Sequence, residues 1–317
     1  MLVEGRWEDD WQMQKRTDAS GRFVRQESVF RNWVTPDGSP GPTGQGGFAA
    51  EPGRYHLYVA LVCPWACRVL LYRKLKKLED VISLSVSMPE LTDQGWPFGE
   101  HAGSIPDPLY GIRYLHELYT RADPKFTGRP TVPVLWDKRR ETIVNNESAD
   151  LIRMLNSAFD AHGDASVDFY PRDLRTEIDA LNERIYGALN NGVYRAGFAT
   201  QQAAYDEAVT EVFDCLDELE ARLGDGRPFL LGERIVESDW RAFMTLIRFD
   251  VAYHGLFKCD LRRLVDYPRL AAYTKRLYDV PGVAETVDFD HIKRTYYSIR
   301  KVNPTRIVPL GPARIFA

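Results

Sequence analysis

The chain has 317 residues, of which 44% are hydrophobic and 27% are charged, and its formal net charge is −4. This length predicts two domains of ordinary globular composition, and the slightly acidic balance argues against a nucleic-acid partner, which needs a basic surface. No apolar run reaches the ~20 residues of a membrane span, and the first residues lack the apolar stretch of a signal peptide. We therefore expect a cytoplasmic protein without a membrane partner.

Residues 1–50 mix aromatic and charged side chains without helical or strand periodicity and end in a turn-rich segment. They predict an extended N-terminal arm. Its large aromatic residues include Trp7, Trp11, Phe23, Phe30 and Trp33. Because such side chains are disfavoured in water, we expect the arm to lie on the main body rather than to extend freely into solvent.

Residues 51–165 predict a domain that mixes strands and helices. Alternating apolar residues over 55–61 predict a strand, helical apolar spacing over 66–78 predicts an amphipathic helix, and alternation returns over 81–88. A long insertion rich in proline, glycine and aromatic residues then covers 89–128. Insertions of this length usually carry function or pack as a compact loop.

Two strands and a helix complete this domain. Residues 131–137 predict a strand with Pro133 inside it, 141–145 predict its hairpin partner, and a helix begins at Glu147 and Ser148. The element order is therefore β-α-β, an insertion, and then β-β-α.

The remaining residues, 166–317, predict an all-helical domain with a C-terminal extension. Strand signals are absent from this part of the sequence, and no internal repeat is visible. Helical periodicity covers residues 172–190, 203–223, 239–254 and 268–279.

Cys63 is the candidate nucleophile. Pro64 suits the first position of a helix, so Cys63 falls at the N-cap, where free backbone N–H groups and the helix dipole favour a thiolate. We expect its pKa to lie below the ordinary ~8.5. The alternative is a structural cysteine, but a strand–Cys–Pro–helix sequence places the sulfur at the edge of a sheet where ligands bind.

A monothiol mechanism follows from the cysteine spacing. Cys67 lies four residues after Cys63, so there is no C-x-x-C pair, and Cys67 is expected in the core. Four cysteines are too few and too scattered for a disulfide framework, which favours free thiols in a reducing compartment. A single reactive thiol needs an external thiol to finish a redox cycle, which points to glutathione.

Pro133 and the Glu147-Ser148 pair are candidate ligand contacts. A proline within an apolar strand is explained by a cis peptide bond that exposes the Val132 backbone to a peptide-like ligand; the alternative is an edge-strand proline. A glutamate and a hydroxyl at a helix N-terminus can bind an amine and a carboxylate together. Alone, the pair would be an ordinary helix cap, but beside Cys63 and Pro133 it favours a ligand site.

Several motifs together resemble the glutathionyl-hydroquinone reductases, which are the Xi-class glutathione transferases. The resemblance runs from about residue 5 to about residue 312, and the insertion with Trp96 and the C-terminal Asn303-Pro-Thr segment make it specific. The other motifs are Cys63–Ala66 (CPWA), Trp96–Phe98, Arg129–Asp137, Asn146–Ser148, Phe249–Tyr253, Phe257–Asp260 and Asp288–Lys293 with Tyr296 and Tyr297.

The resemblance implies a glutathione transferase fold: an α/β thioredoxin-like N-terminal domain and an all-α C-terminal domain, assembled as a homodimer. It implies reductive deglutathionylation of glutathionyl-hydroquinones through a mixed disulfide between Cys63 and glutathione. Glutathione is then a co-substrate, and no cofactor is tightly bound. The six histidines lack metal-ligand spacing, so no metal is expected.

The resemblance also implies the roles of individual residues. Tyr194 would protonate the ring carbon, while Tyr253 and Tyr296 would lie near the thiol, lower its pKa and help to form an acceptor pocket between the domains. Composition alone could not choose these three among 16 tyrosines, most of which are expected in the core or on the surface. The residues that would hold glutathione are Trp96, Arg129, Val132, Glu147 and Ser148.

Two other functions remain open at this point. An omega-like thiol transferase or dehydroascorbate reductase shares the Cys-Pro chemistry, and turnover of dehydroascorbate would distinguish it. A non-catalytic binding module on a transferase fold is the other, although retention of Cys63, Pro133 and Glu147-Ser148 argues against it. A mixed disulfide formed between Cys63 and one equivalent of glutathione would distinguish an enzyme from such a module.

Overall fold

The computed structural model describes residues 1–8 and 17–316; Trp11 of the predicted arm lies outside these residues. The described chain forms two compact units. The first unit contains residues 1–8, 27–168 and 285–295, and the second contains residues 17–26, 169–284 and 296–316. The domain boundaries drawn from the sequence stay predictions.

A four-stranded mixed sheet forms the centre of the first unit. Its strand order is β4-β3-β5-β6, in which β3 pairs parallel to β4 and antiparallel to β5, and β5 pairs antiparallel to β6. Helices α1 and α3 pack against each other. The bounds are β3 (Tyr55–Val59), α1 (Pro64–Leu75), β4 (Ile82–Val86), β5 (Val134–Asp137), β6 (Thr142–Asn145) and α3 (Ser148–Ser157). The predicted element order is confirmed.

Pro133 lies immediately before β5, so its predicted place inside a strand is wrong. The strand begins at Val134, which pairs with Tyr58 of β3. Proline has no N–H to donate to a neighbouring strand, so the ladder begins after it. The apolar residues that precede Pro133 belong to a loop rather than to the sheet.

The insertion contains a helix that the sequence analysis missed, α2 (Leu115–Ala122). The Glu117 side chain accepts a hydrogen bond from the Tyr114 N–H at 3.0 Å and caps its first turn. The insertion is held near its start by the Thr295 hydroxyl, which donates to the Pro89 carbonyl. The His291 ring donates to the Ala102 carbonyl at 2.6 Å.

Residues 30–32 of the first unit lie along the outer edge of its sheet. Arg31 bridges to Asn145, and the Asn32 N–H donates to the Val144 carbonyl at 3.0 Å, so this segment covers the free edge of β6. The first residues form a short hairpin of β1 (Leu2–Val3) and β2 (Arg6–Trp7), which the sequence analysis did not predict.

Helices make up the regular structure described in the second unit. Two of them continue into single π-helical turns, Tyr186–Asn190 after α4 and Phe249–Tyr253 after α7. A last helix, α10 (Phe289–Ser298), begins among residues of the first unit and ends among those of the second. The other helices are α4 (Arg175–Ile185), α5 (Gly192–Gly197), α6 (Gln202–Arg222), α7 (Glu237–Arg248), α8 (His254–Leu256) and α9 (Pro268–Tyr278).

Helix α5 was not predicted, although it carries Tyr194. It has six residues and a glycine at each end, so its periodicity is too short to detect. Gly197 is required by packing, because a Cβ atom there would lie 2.2 Å from the Phe257 ring. Phe257 can therefore pack against the backbone of the helix that carries Tyr194.

Candidate active site

Cys63 occupies the N-cap of α1, as predicted, and Pro64 is the first residue of the helix. Its sulfur lies 3.7 Å from the Val132 carbonyl oxygen, so the loop before β5 and the start of α1 meet at the thiol. The predicted cis bond between Val132 and Pro133 is confirmed. The structure thus places a partly exposed thiol at the N-terminus of a helix and beside the loop before β5, and the positive end of the helix dipole favours a thiolate there.

All four cysteines lie within the described residues, where none of them forms a disulfide, but their surroundings differ. Cys63 is partly exposed, whereas the other three are buried. The Cys67 thiol donates to the Leu61 carbonyl at 3.1 Å, which confirms its place in the core. Burial raises the pKa of both Cys215 and Cys259 to about 12, because the interior disfavours a thiolate.

The loop that carries Val132 is fixed by a tyrosine that the sequence analysis did not identify. The Tyr119 hydroxyl donates to the Thr131 carbonyl at 2.8 Å and accepts from the Thr131 N–H at 3.1 Å. It also accepts from the Asn146 side-chain amide at 3.1 Å. Tyr119 lies on α2. One role of the insertion is therefore to hold the loop that carries Val132 beside the Cys63 thiol.

Glu147 and Ser148 lie at the start of α3. Glu147 is the N-cap, and its side chain accepts from the Ala149 N–H at 3.0 Å and from the Ser28 hydroxyl at 3.0 Å. Ser148 is the first helical residue and is buried. A hydroxyl at the N-terminus of a helix, where the helix dipole is positive, suits a carboxylate ligand.

Arg68 joins these residues to the helix of Cys63, and the sequence analysis missed it. Its guanidinium donates to the Ser148 hydroxyl oxygen from Nε at 3.0 Å and from Nη2 at 2.6 Å. Nη2 also lies 3.8 Å from the Glu147 carboxylate. The available signal was a charged residue among the apolar residues of α1, because a charged side chain is rarely buried unless it is paired.

Trp96 and Arg129 belong to the same unit as Cys63 and are both partly buried. The Trp96 carbonyl accepts from the N–H of Leu115, the first residue of α2, at 3.0 Å. Loss of water around Arg129 lowers its pKa. Their predicted contacts with glutathione stay predictions.

In the second unit, the three predicted tyrosines share a chain of hydroxyl groups. The Tyr296 hydroxyl lies 2.6 Å from the hydroxyl of Tyr194 and 2.8 Å from that of Tyr253. Tyr253 and Tyr296 are buried, and burial raises the pKa of each well above the ordinary tyrosine value. Tyr194 is partly exposed, unlike the other two tyrosines.

Aromatic rings and one cation surround Tyr194. The rings of Phe198 and Phe257 lie with their centroids 6.2 Å and 5.6 Å from its own. The Arg25 guanidinium lies 5.0 Å from the Tyr194 ring centroid and donates to the Asn191 side chain at 2.8 Å. The sequence placed Arg25 in an extended arm and gave no signal of this contact.

Known proteins share both the sequence and the structure of this chain. The glutathione S-transferase N-terminal domain family matches residues 62–158, and the C-terminal domain family matches residues 202–276. The glutathionyl-hydroquinone reductase YqjG of Escherichia coli is 53% identical over 98% of this chain and 94% of its own. This chain belongs to the glutathionyl-hydroquinone reductases, the Xi class of glutathione transferases.

Other members of the class agree with this assignment. The glutathionyl-hydroquinone reductase PcpF of Sphingobium chlorophenolicum is 49% identical over 99% of this chain and 96% of its own. The glutathione-bound structure of YqjG superposes with a TM-score of 0.90, at 49% identity over 99% of this chain and 96% of that chain. The Xi transferase of Phanerochaete chrysosporium also gives a TM-score of 0.90, at 44% identity over 95% of this chain and 96% of that chain.

The family match confirms the predicted fold class of this Xi-class chain, a thioredoxin-like domain followed by a helical one. Within residues 1–8 and 17–316, no group of three histidine, cysteine, aspartate or glutamate side chains is placed to hold a metal ion. None of the helices in the described part of the chain is long and apolar enough to cross a membrane.

Proposed function

We propose that this chain is a glutathione-dependent reductase that removes glutathione from glutathionyl-hydroquinones through a mixed disulfide on Cys63. The observation that carries the proposal is the partly exposed Cys63 sulfur at the N-terminus of α1, 3.7 Å from the Val132 carbonyl. The 53% identity with a glutathionyl-hydroquinone reductase over nearly the whole chain supports the substrate class.

In the first half-reaction, the Cys63 thiolate attacks the glutathione sulfur of the substrate. A sulfur–sulfur bond forms, the carbon–sulfur bond to the ring breaks, and its electron pair passes to the ring carbon. A proton from Tyr194 completes the hydroquinone, so the ring is reduced as the two sulfur atoms are oxidised. In the second half-reaction, the thiolate of another glutathione attacks the mixed disulfide, which releases glutathione disulfide and restores the Cys63 thiolate.

Glutathione would lie along the loop before β5 and reach the start of α3. The Val132 backbone would pair with its peptide groups, as extended ligands pair with a free strand end. Glu147 and Ser148 would receive the amine and carboxylate of its glutamyl end, at the positive end of a helix. Trp96 and Arg129 would hold the remaining part, in keeping with the family resemblance.

The three tyrosine hydroxyl groups would supply the proton that reaches the ring carbon and would then replace it on Tyr194. Burial keeps Tyr253 and Tyr296 protonated, so they can donate hydrogen bonds along the chain towards Tyr194. These hydrogen bonds would stabilise the phenolate that Tyr194 becomes when it gives up its proton, because a hydrogen bond to the charged form of a group favours that form. We also propose, from the family resemblance, that Tyr253 and Tyr296 lower the pKa of the Cys63 thiol.

The test is turnover of a glutathionyl-hydroquinone with glutathione. We expect one hydroquinone and one glutathione disulfide per cycle, and a Cys63–glutathione adduct by mass spectrometry when the second glutathione is withheld. Cys63→Ser is the matched control. Release of hydroquinone without glutathione disulfide would contradict the proposal, and faster turnover of dehydroascorbate would favour an omega-like reductase instead.

We also propose a homodimer in the cytoplasm. The family resemblance supports the dimer, and four free cysteines suit a reducing compartment. Light scattering after gel filtration measures the assembly, and a mass of one chain, 36.3 kDa, would contradict the dimer. Fractionation of the producing cells measures the compartment, and recovery outside the cytoplasmic fraction would contradict that part.

A further inference from the structure

We infer that Arg68 is a positioning residue that makes the Ser148 hydroxyl an obligatory donor to the glutamyl carboxylate of glutathione. The inference rests on the proposed function, because it concerns how glutathione is recognised. It is carried by the two hydrogen bonds from Arg68 to Ser148 and by the burial of both residues.

A serine hydroxyl can accept two hydrogen bonds and donate one. Arg68 Nε and Nη2 approach the Ser148 oxygen at 3.0 Å and 2.6 Å, so both acceptor positions are used. A guanidinium has no acceptor of its own, so the hydroxyl proton cannot point back at Arg68. It must point elsewhere, and the arrangement therefore selects a ligand that accepts a hydrogen bond.

The charges around Ser148 favour an anionic ligand. Ser148 is the first residue of α3, where the positive end of the helix dipole favours negative charge. Arg68 adds a buried positive charge, of which the Glu147 carboxylate at 3.8 Å is the described counter-charge. A ligand carboxylate on the Ser148 hydroxyl would supply a second counter-charge, and the hydrogen bond would be charge-assisted.

Glu147 is arranged for the neighbouring amine. Its carboxylate accepts from the Ala149 N–H and the Ser28 hydroxyl, which hold it in place. A fixed carboxylate beside an obligatory hydroxyl donor matches the ammonium and carboxylate of one amino acid. Arg68 thus determines which of the two groups binds at Ser148.

The experiment is a double-mutant cycle on glutathione affinity, measured by calorimetry with Arg68→Met, Ser148→Ala and the double variant. We expect Arg68→Met to weaken binding about tenfold and Ser148→Ala about tenfold to a hundredfold, the range of hydrogen bonds to charged groups. The double variant should bind like Ser148→Ala alone, because Arg68 acts through the hydroxyl. Additive losses, or no loss with Arg68→Met, would overturn the inference.

Arg73→Met is the matched control for stability. Arg73 is also buried on α1, but its guanidinium donates to the Ile82 and Glu79 carbonyls, at 2.6 Å and 2.9 Å. Its loss should lower the melting temperature and leave glutathione affinity unchanged. If Arg68→Met does not fold, Arg68→Gln replaces it in the cycle, since a glutamine oxygen can accept the Ser148 proton and turn it away from the ligand.

A glutathione whose glutamyl carboxylate is converted to an amide tests the chemistry directly. The unaltered protein should prefer glutathione to this amide, and Arg68→Met should reduce that preference about tenfold. An unchanged preference would overturn the inference even if affinity falls. If the unaltered protein binds neither ligand, the proposed function fails; if it binds glutathione but Arg68→Met has no effect, this inference alone fails.

Discussion

Cys63 should be alkylated far faster than the other three cysteines of the folded protein. Cys215 and Cys259, whose pKa values are about 12, carry a thiolate fraction of about 10⁻⁵ at pH 7. An ordinary thiol with a pKa of ~8.5 carries about 3%. The thiolate fractions therefore differ about 3,000-fold before access is considered, and a Cys63 pKa below ~8.5 increases this difference until the thiol is fully ionised.

The helix N-terminus can raise the Cys63 thiolate fraction by at most roughly another 30-fold, because the fraction starts at about 3% and cannot exceed one. Alkylation of Cys67 should also be slow, because Cys67 is buried and its thiol donates to the Leu61 carbonyl. The assay is iodoacetamide labelling over pH 5 to 10, stopped at intervals, with each cysteine peptide quantified by mass spectrometry. The Cys63 rate should rise with pH to a plateau whose midpoint lies below ~8.5.

Two controls make this result interpretable. Cys63→Ser should remove the fast phase without slowing or speeding the others, and protein unfolded in urea should label at all its cysteines at similar rates. Labelling of Cys67, Cys215 or Cys259 within tenfold of Cys63 in the folded protein would refute the reasoning from burial. A Cys63 midpoint at or above ~8.5 would refute the reasoning from the helix N-terminus.

Three substitutions test the proposed chemistry. Cys63→Ser should lower the reductase rate at least ~10³-fold, about 4 kcal/mol of transition-state stabilisation, with little change in glutathione Kd by calorimetry; substantial turnover would favour a non-covalent transferase. Tyr194→Phe should slow hydroquinone release ~10²–10⁴-fold and leave glutathione Kd nearly intact, and an unchanged kcat would remove Tyr194 from the mechanism. Tyr253→Phe removes the hydroxyl 2.8 Å from that of Tyr296 and should lower the free energy of unfolding by about 1 kcal/mol; urea unfolding measures it, and an unchanged midpoint would contradict the buried hydroxyl chain.

The features that the sequence predicted depend on residues that are neighbours along the chain. Cys63 and Pro64 define a helix start because proline fits the first helical position wherever the helix packs. Alternation predicted β3 and β4, and β6 was predicted as a hairpin partner, each to within two residues at each end. The start of β5 was placed too early, because apolar residues before Pro133 resemble a strand whether or not they pair.

The features that the sequence did not predict depend on residues that meet only after folding. Arg68 is one arginine in a helix with several cations, and its partner Ser148 lies 80 residues away. Tyr119 contacts Thr131 and Asn146 from a helix too short for its periodicity to be detected within the insertion. Such contacts leave no local pattern, which is why the side chains supporting the site were missed although its thiol was found.

The surroundings of Cys67 explain why the proposed cycle requires a second glutathione. A resolving cysteine must present its own thiolate to the mixed disulfide. Cys67 lies one turn beyond Cys63, but it is buried and its thiol donates to the Leu61 carbonyl at 3.1 Å. Attack on Cys63 would require Cys67 to lose that hydrogen bond and to ionise in the core. An external thiolate needs neither of these changes. In the proposed cycle, the mixed disulfide therefore persists until a second glutathione binds, and no internal disulfide between Cys63 and Cys67 forms.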